Sequence, residues 1–234
     1  MLQRPYPSLS LGRRAIIGAV AAAGGLALAG QAFPALSSPP RRQQIIFDVR
    51  RDGANIGRHE VSFRHRGDRL EVDVAIEIEV RLAFIPLFSY SHRNHEVWQE
   101  GRLVALDSET NDDGQRFAVT ARSLAGGLRV VGSVGDFLAP RSILPASYWD
   151  PRTVEQSLLL DSQRGRLLEV RPVLVGNEWL DSGVPARRYS LSGDLNLDLW
   201  YSDEGEWMKI AFEARGADVS YARRLAGTDD GASG

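Results

Sequence analysis

The chain has 234 residues, a formal net charge of −2, 43% hydrophobic and 25% charged residues, and no cysteine. That length buries a core without covalent staples, and the ordinary charged fraction excludes wholesale disorder. The missing cysteines exclude disulfides, thiolate metal sites, Cys nucleophiles and a lipid-modified N-terminal Cys. All 28 basic residues except Lys209 are arginine, a bias that a GC-rich genome explains without any demand for guanidinium chemistry.

Residues 1–32 read as an export signal peptide. Arg4, Arg13 and Arg14 form a basic start with no acid, and the run Ala15–Ala29 contains only Ala, Gly, Ile, Leu and Val. Small residues at Ala27-Leu28-Ala29 and Gly30-Gln31-Ala32 suit a signal peptidase. The run is shorter than the ~20 strongly apolar residues of a bilayer crossing, so no stable membrane span is expected after processing. The pair Arg13-Arg14 before a weakly hydrophobic stretch looks like a twin-arginine signal, although Gly12 and Gly18 depart from the fuller pattern; the general secretory route is the alternative. Either route predicts a periplasmic or secreted protein, with the protein-export machinery as a partner. Removing the three arginines leaves 25 basic and 30 acidic residues, and a mildly acidic body excludes a nucleic-acid footprint.

Residues 33–43 read as a linker, 44–225 as a single β-rich domain and 226–234 as a disordered tail. In chain order, Ile45, Phe47 and Val49 alternate before Asp52-Gly53, and Val61 and Phe63 precede Arg66-Gly67-Asp68. From Leu70 to Val80 every second residue is large and apolar, so one face of a long strand is oily and the other acidic. Leu87–Trp98, Leu103–Thr110, Phe117–Ser123 and Leu128–Val134 follow between Gly-containing turns. After a gap come Leu167–Val175, where Pro172 predicts an edge or a bulge, then Val184–Leu191, Leu195–Tyr201, Trp207–Phe212 and Val219–Arg223.

The fold class predicted is all-β and mainly antiparallel: a large curved meander of eleven or twelve strands forming a half-barrel or barrel. One short helix, N-capped by Asp150 with two turns over Thr153–Leu160, is expected in the interval 135–165, which would cross the concave face as a plug or lid.

Chemistry is sparse. His59 and His65 share strand parity with Val61 and Phe63, while odd spacing sends His92 and His95 to opposite faces, so no metal site is expected. Phe88, Tyr90, His92, Asn94, Glu96 and Trp98 line one face, which reads either as a satisfied core network or solvated face, or as a polar ladder in an aromatic wall such as a ligand pocket uses for orientation. Tyr148 and Trp149 anchor the crossing segment or sit at a pocket mouth. The candidate ligand-binding residues are therefore Tyr90, His92, Glu96, Tyr148 and Trp149. Asp194, Asn196 and Asp198 imitate the start of a calcium loop, but Leu199 stands where Gly is required, so they read as the wet face of a strand. No nucleophile elbow, dinucleotide loop or zinc-protease motif is present; no cofactor and no catalytic residue is assigned.

The segments Phe47-Asp48-Val49-Arg50-Arg51-Asp52-Gly53, Ile56-Gly57-Arg58-His59, Glu96-Val97-Trp98, Tyr148-Trp149 and Leu199–Trp207 resemble an uncharacterised family of exported proteobacterial proteins. That resemblance implies no activity. The repeated antiparallel strands also resemble, in architecture alone, the lipoprotein-carrier half-barrels of the periplasm, which implies an acyl-binding concave sheet under a lid. The function expected is non-enzymatic binding of an apolar or amphipathic ligand, or of a lipid-bearing partner, on the concave sheet. The alternatives are an envelope assembly factor without a pocket and a hydrolase using His92 with Glu96 or His59.

Overall fold

The structure is a computed structural model that describes residues 43–224, apart from the side chains of Leu82 and Pro86. The signal with Arg13 and Arg14, the linker up to Arg42 and the tail lie outside the described residues.

Fifteen strands form one open sheet, more than the eleven or twelve expected. They are β1 (Gln44–Arg51), β2 (Ala54–Arg66), β3 (Arg69–Leu82), β4 (Ile85–Gln99), β5 (Arg102–Asp112), β6 (Gln115–Leu124), β7 (Gly127–Gly132) and β8 (Gly135–Ala139), then β9 (Leu144–Pro145), β10 (Leu158–Leu160), β11 (Leu167–Trp179), β12 (Pro185–Gly193), β13 (Leu197–Tyr201), β14 (Trp207–Ala214) and β15 (Ala217–Arg223). Neighbours in sequence are neighbours in the sheet within each half, and β15 pairs antiparallel with β1 to join the halves. The first strand therefore lies mid-sheet, and β8 and β9 form the two edges.

The local causes are plain. In β3, Val72, Val74 and Ile76 are buried while Glu77 and Glu79 are not, as the period of two demands. At Asp52-Gly53, Glu100-Gly101, Asp113-Gly114 and Arg215-Gly216 both residues adopt positive φ, the geometry that lets a two-residue turn follow the sheet's twist. On the convex face, arginines meet acids on adjacent strands: Arg64 to Asp73 at 2.6 Å, Arg93 to Glu77 at 2.7 Å, Arg122 to Asp107 at 2.7 Å. Such exposed pairs add little individually and mainly keep that face wet.

The interval between β8 and β11 does cross the concave face, but not as a helical lid. Asp150 caps a single 3₁₀ turn over Pro151–Glu155, accepting from the Arg152 amide; the expected second turn is replaced by β10, which pairs with β11 and runs parallel to β9. Three leucines in a row at Leu158–Leu160 favour a buried strand over a helix surface. The segment expected over Leu128–Val134 is also shorter than its composition suggests: β7 stops at Gly132, Val134 is exposed in the turn, and Phe137 continues the pattern from β8. Pro172 lies where β11 extends past its contact with β10, which ends at Glu169, so its missing N–H faces an open edge; a bulge follows between Leu174 and Gly176.

The crossing segment between β8 and β11 forms a strap, and its return toward β7 depends on two glycines, Gly132 and Gly165. A Cβ on Gly132 would sit 2.6 Å from the Gly165 Cα and 2.8 Å from the Arg164 carbonyl oxygen, and the Ser133 amide donates to that same oxygen at 2.7 Å. Gly132→Ala is expected to lower unfolding stability by about 1–3 kcal/mol through overpacking against backbone. Gly126→Ala, whose Cβ would meet only the end of the Leu138 side chain, should cost clearly less; equal urea midpoints for the two variants would contradict this account of the strap.

Candidate functional site

β4 carries the ladder that the sequence singled out. His92, Asn94, Glu96 and Trp98 are all buried on the concave face, and Tyr90 is partly buried beside them. His95 faces the other way and contacts Asp73 at 2.7 Å, so the two histidines have opposite parity as expected. His59, from β2, is buried, whereas His65 near the strand's end is exposed.

Glu96 and Trp149 meet directly. The Glu96 carboxylate is fully buried and accepts from the Trp98 indole N–H at 2.8 Å, the Trp149 indole N–H at 3.0 Å and the Asn94 amide at 2.7 Å, with Ser147 as a further donor. Trp149 also packs edge-on against Trp98 and Phe63, with ring centroids 5.2 Å and 5.4 Å away. Tyr148 precedes it with a left-handed φ of 60°, and its carbonyl oxygen accepts from the Tyr201 hydroxyl at 2.7 Å. The pair Tyr148-Trp149 is thus an anchor that spans from β13 to β4. Desolvation pushes the Glu96 pKa up, and its donors pull it only part of the way back.

Toward the other end of β4 the face changes character. His92 contacts Thr110 Oγ1 at 2.9 Å and Ser162 Oγ at 3.5 Å, and Ser108 donates to the Ser162 carbonyl. Neither His92 nor Glu96 bonds to the other, so the acid–base pair needed by the hydrolase reading is not assembled. His59 sits among the rings of Phe47, Trp207 and Tyr221 at 6.0, 5.2 and 5.5 Å. Among the described residues neither ring nitrogen of His59 has a partner, and the same holds for the Tyr90 hydroxyl and Asn94 Oδ1. Tyr90 lies within electrostatic reach of Tyr221, Tyr148 and Asp161, and His59 within reach of His92. Burial holds His59 down to about 3 and His92 to about 4, and raises the hydroxyls of Tyr90, Tyr148 and Tyr221, so these five groups are uncharged at neutral pH. Asp161 is tied to Arg166 and to the amides of Gln163 and Arg164. No group of three or more metal-ligating side chains exists among the described residues.

A family model for a domain of unknown function, DUF6134, matches residues 47–224. The chain belongs to that family. No curated protein matches it. A crystal structure of a β-barrel-like protein of another domain of unknown function, DUF1849, from Brucella abortus has a similar fold, with a TM-score of 0.55 and 10% identity over 77% of this chain and 95% of that one. At that identity the likeness concerns the fold alone.

Within this DUF6134 domain the structure unites Tyr90, His92 and Tyr148 near the unpartnered polar atoms, and assigns Glu96 and Trp149 to the anchor. Sequence reasoning misses Tyr221, Asp161 and Ser162. Tyr221 shares its parity with the buried Val219, a usable signal for burial, but nothing local brings β15 opposite β4. The hollow of about 540 Å³ bordered by the charged Asp73, Arg93 and Glu109 and by His95 is open, and lies on the convex face.

Two consequences concern stability. A histidine buried as the neutral form binds its proton later than in the unfolded chain, so folding stability falls as pH drops from 6.5 toward about 3. His59→Phe should flatten that acid limb by roughly 4 kcal/mol, read from urea midpoints across the range; an unchanged limb would show that His59 is not the group. Glu96→Gln replaces an acceptor by an amide N–H facing indole donors and should cost about 1–3 kcal/mol. Because the folded pKa of Glu96 is raised, its contribution is complete below 4.5 and fades as pH rises, so the gap between wild type and Glu96→Gln should narrow on going from pH 4.5 to 8.

Proposed function

We propose that this protein is an extracytoplasmic, non-catalytic binding protein that takes an amphipathic ligand at the Tyr90–His59 end of its concave face. The signal-like character of residues 1–32 supports the location. The observation that carries the binding site is the set of buried, unpartnered atoms, both His59 nitrogens, the Tyr90 hydroxyl and Asn94 Oδ1, inside a core whose other polar groups are nearly all satisfied. Each such group costs about 1–3 kcal/mol if left unpaired, which a ligand's polar head recovers on binding. Neighbouring Phe47, Trp207 and Tyr221 offer the apolar surface. The Glu96–Trp149 anchor closes the opposite end and serves as the floor.

A second reading, an envelope assembly factor presenting a sheet edge, is favoured by β11, which exposes Val173, Leu174, Val175 and Trp179 along and beyond its open stretch. The two readings separate by experiment. Native mass spectrometry and organic extraction of the protein purified from the extracytoplasmic fraction should show a co-purifying amphipathic species. Tyr90→Phe removes an unpartnered hydroxyl, so it should leave stability unchanged or about 1 kcal/mol higher while reducing occupancy several-fold. An empty wild-type protein that instead retains a sheet-edge partner would favour the assembly role.

A further inference from the structure

The hairpin β3–β4 is unlike its neighbours. β2 accompanies β3 only as far as Gly57 opposite Ile78, and β5 accompanies β4 only from Tyr90 opposite Asp112. Beyond Ser89, whose carbonyl accepts from the Asp113 amide at 2.8 Å, Val80–Phe88 pair only with each other, through Val80 opposite Phe88 to Leu82 opposite Ile85. Three residues on the first arm, Val80–Leu82, at ~3.4 Å each carry the tip roughly 10 Å past the last ladder contact, although β2 itself runs on to Ala54 without pairing to β3.

Its tip gathers three large apolar side chains, more than any other turn of this half of the sheet. Four of the other hairpin turns of this half of the sheet use Asp52-Gly53, Gly67-Asp68, Glu100-Gly101 and Asp113-Gly114, and Ala125-Gly126 and Ser133-Val134 close the two toward the edge, whereas this one uses Ala83-Phe84, with Ala83 held at a left-handed φ of 53°. Phe84 is 94% exposed, Ile85 65% and Leu87 57%. These three are large apolar side chains gathered on one projection rather than scattered singly, which marks a contact site. The charges at the base cancel, since Arg81 pairs with Glu79 at 2.9 Å.

We propose that this finger inserts into a lipid bilayer. A slender convex tip, unpaired with the flanking strands on both sides and uncharged, is covered on all sides by fluid hydrocarbon, whereas a rigid protein surface would need a matching socket and could cover only part of it. The finger is also continuous with the Tyr90 end of the concave face: Phe88, at its base, stacks beneath the Arg215 guanidinium at 5.0 Å, one inward-facing position from Tyr90. The bilayer contact stands whether or not that face holds a ligand.

The absence of native cysteine makes the test direct. The protein purified from the extracytoplasmic fraction and carrying Phe84→Cys is labelled with an environment-sensitive fluorophore and mixed with vesicles of phosphatidylethanolamine and phosphatidylglycerol. Emission should shift to the blue and be quenched by bromine-labelled acyl chains, while a label at Ala118→Cys, exposed on the convex face, should do neither. Joint replacement Phe84→Ser, Ile85→Ser and Leu87→Ser should reduce vesicle-bound protein by about tenfold at unchanged unfolding midpoint, because binding follows the apolar area inserted. A label at position 84 that stays in water, or flotation unaltered by the triple replacement, overturns the proposal. A blue shift that depends on protein concentration and needs no vesicles also overturns it, and identifies a second copy of the chain as the partner.

Discussion

A single buried carboxylate sets the terms for this fold. Glu96 is removed from water in the middle of an aromatic cluster, which no ionisable group tolerates unless its oxygens are satisfied. Three of its donors, the Trp149 indole, the Trp98 indole and the Asn94 amide, come from two different parts of the chain, so satisfying Glu96 fixes the strap on the sheet. An open sheet whose edges never pair with each other is thereby held in its curl. Side chains from the strap do what edge-to-edge hydrogen bonds do in a closed barrel.

That arrangement divides the concave face into two environments. Around Trp149, Trp98 and Phe63, ring edges meet ring faces and the polar atoms are nearly all accounted for, giving a stiff floor. Around His59 and Tyr90 the same kind of wall contains polar atoms with no protein partner among the described residues. Burial keeps the histidines neutral there, so the wall offers hydrogen bonds without net cationic charge.

Much of this is legible in the residues themselves. Strict alternation from Leu70 to Val80 marks a strand with one buried face, and the same period shows which side chains of Leu87–Trp98 share an interior. Parity alone separates His92 from His95. Asp150-Pro151 marks the start of a turn of helix, though the leucines that follow it are drawn into pairing with β11. Short strands such as β8–β10 escape because two to five residues hold too little periodicity to register. Asp194, Asn196 and Asp198 illustrate the reverse case: Asp194 accepts from the Glu169 amide and Asp198 pairs with Arg188, so the spacing that mimics a calcium loop serves strand and turn bonding.

What the sequence determined by itself is the class of the fold and the inward set of each strand, since a period of two is a property of neighbouring residues along one chain. Only the tertiary structure decided that Trp149 would reach Glu96, that Tyr221 would stand near Tyr90, and that the Phe84 tip would outrun its ladder contacts with the flanking strands. Those outcomes depend on curvature and on relative strand length summed over the whole sheet, and no local run of residues encodes either quantity.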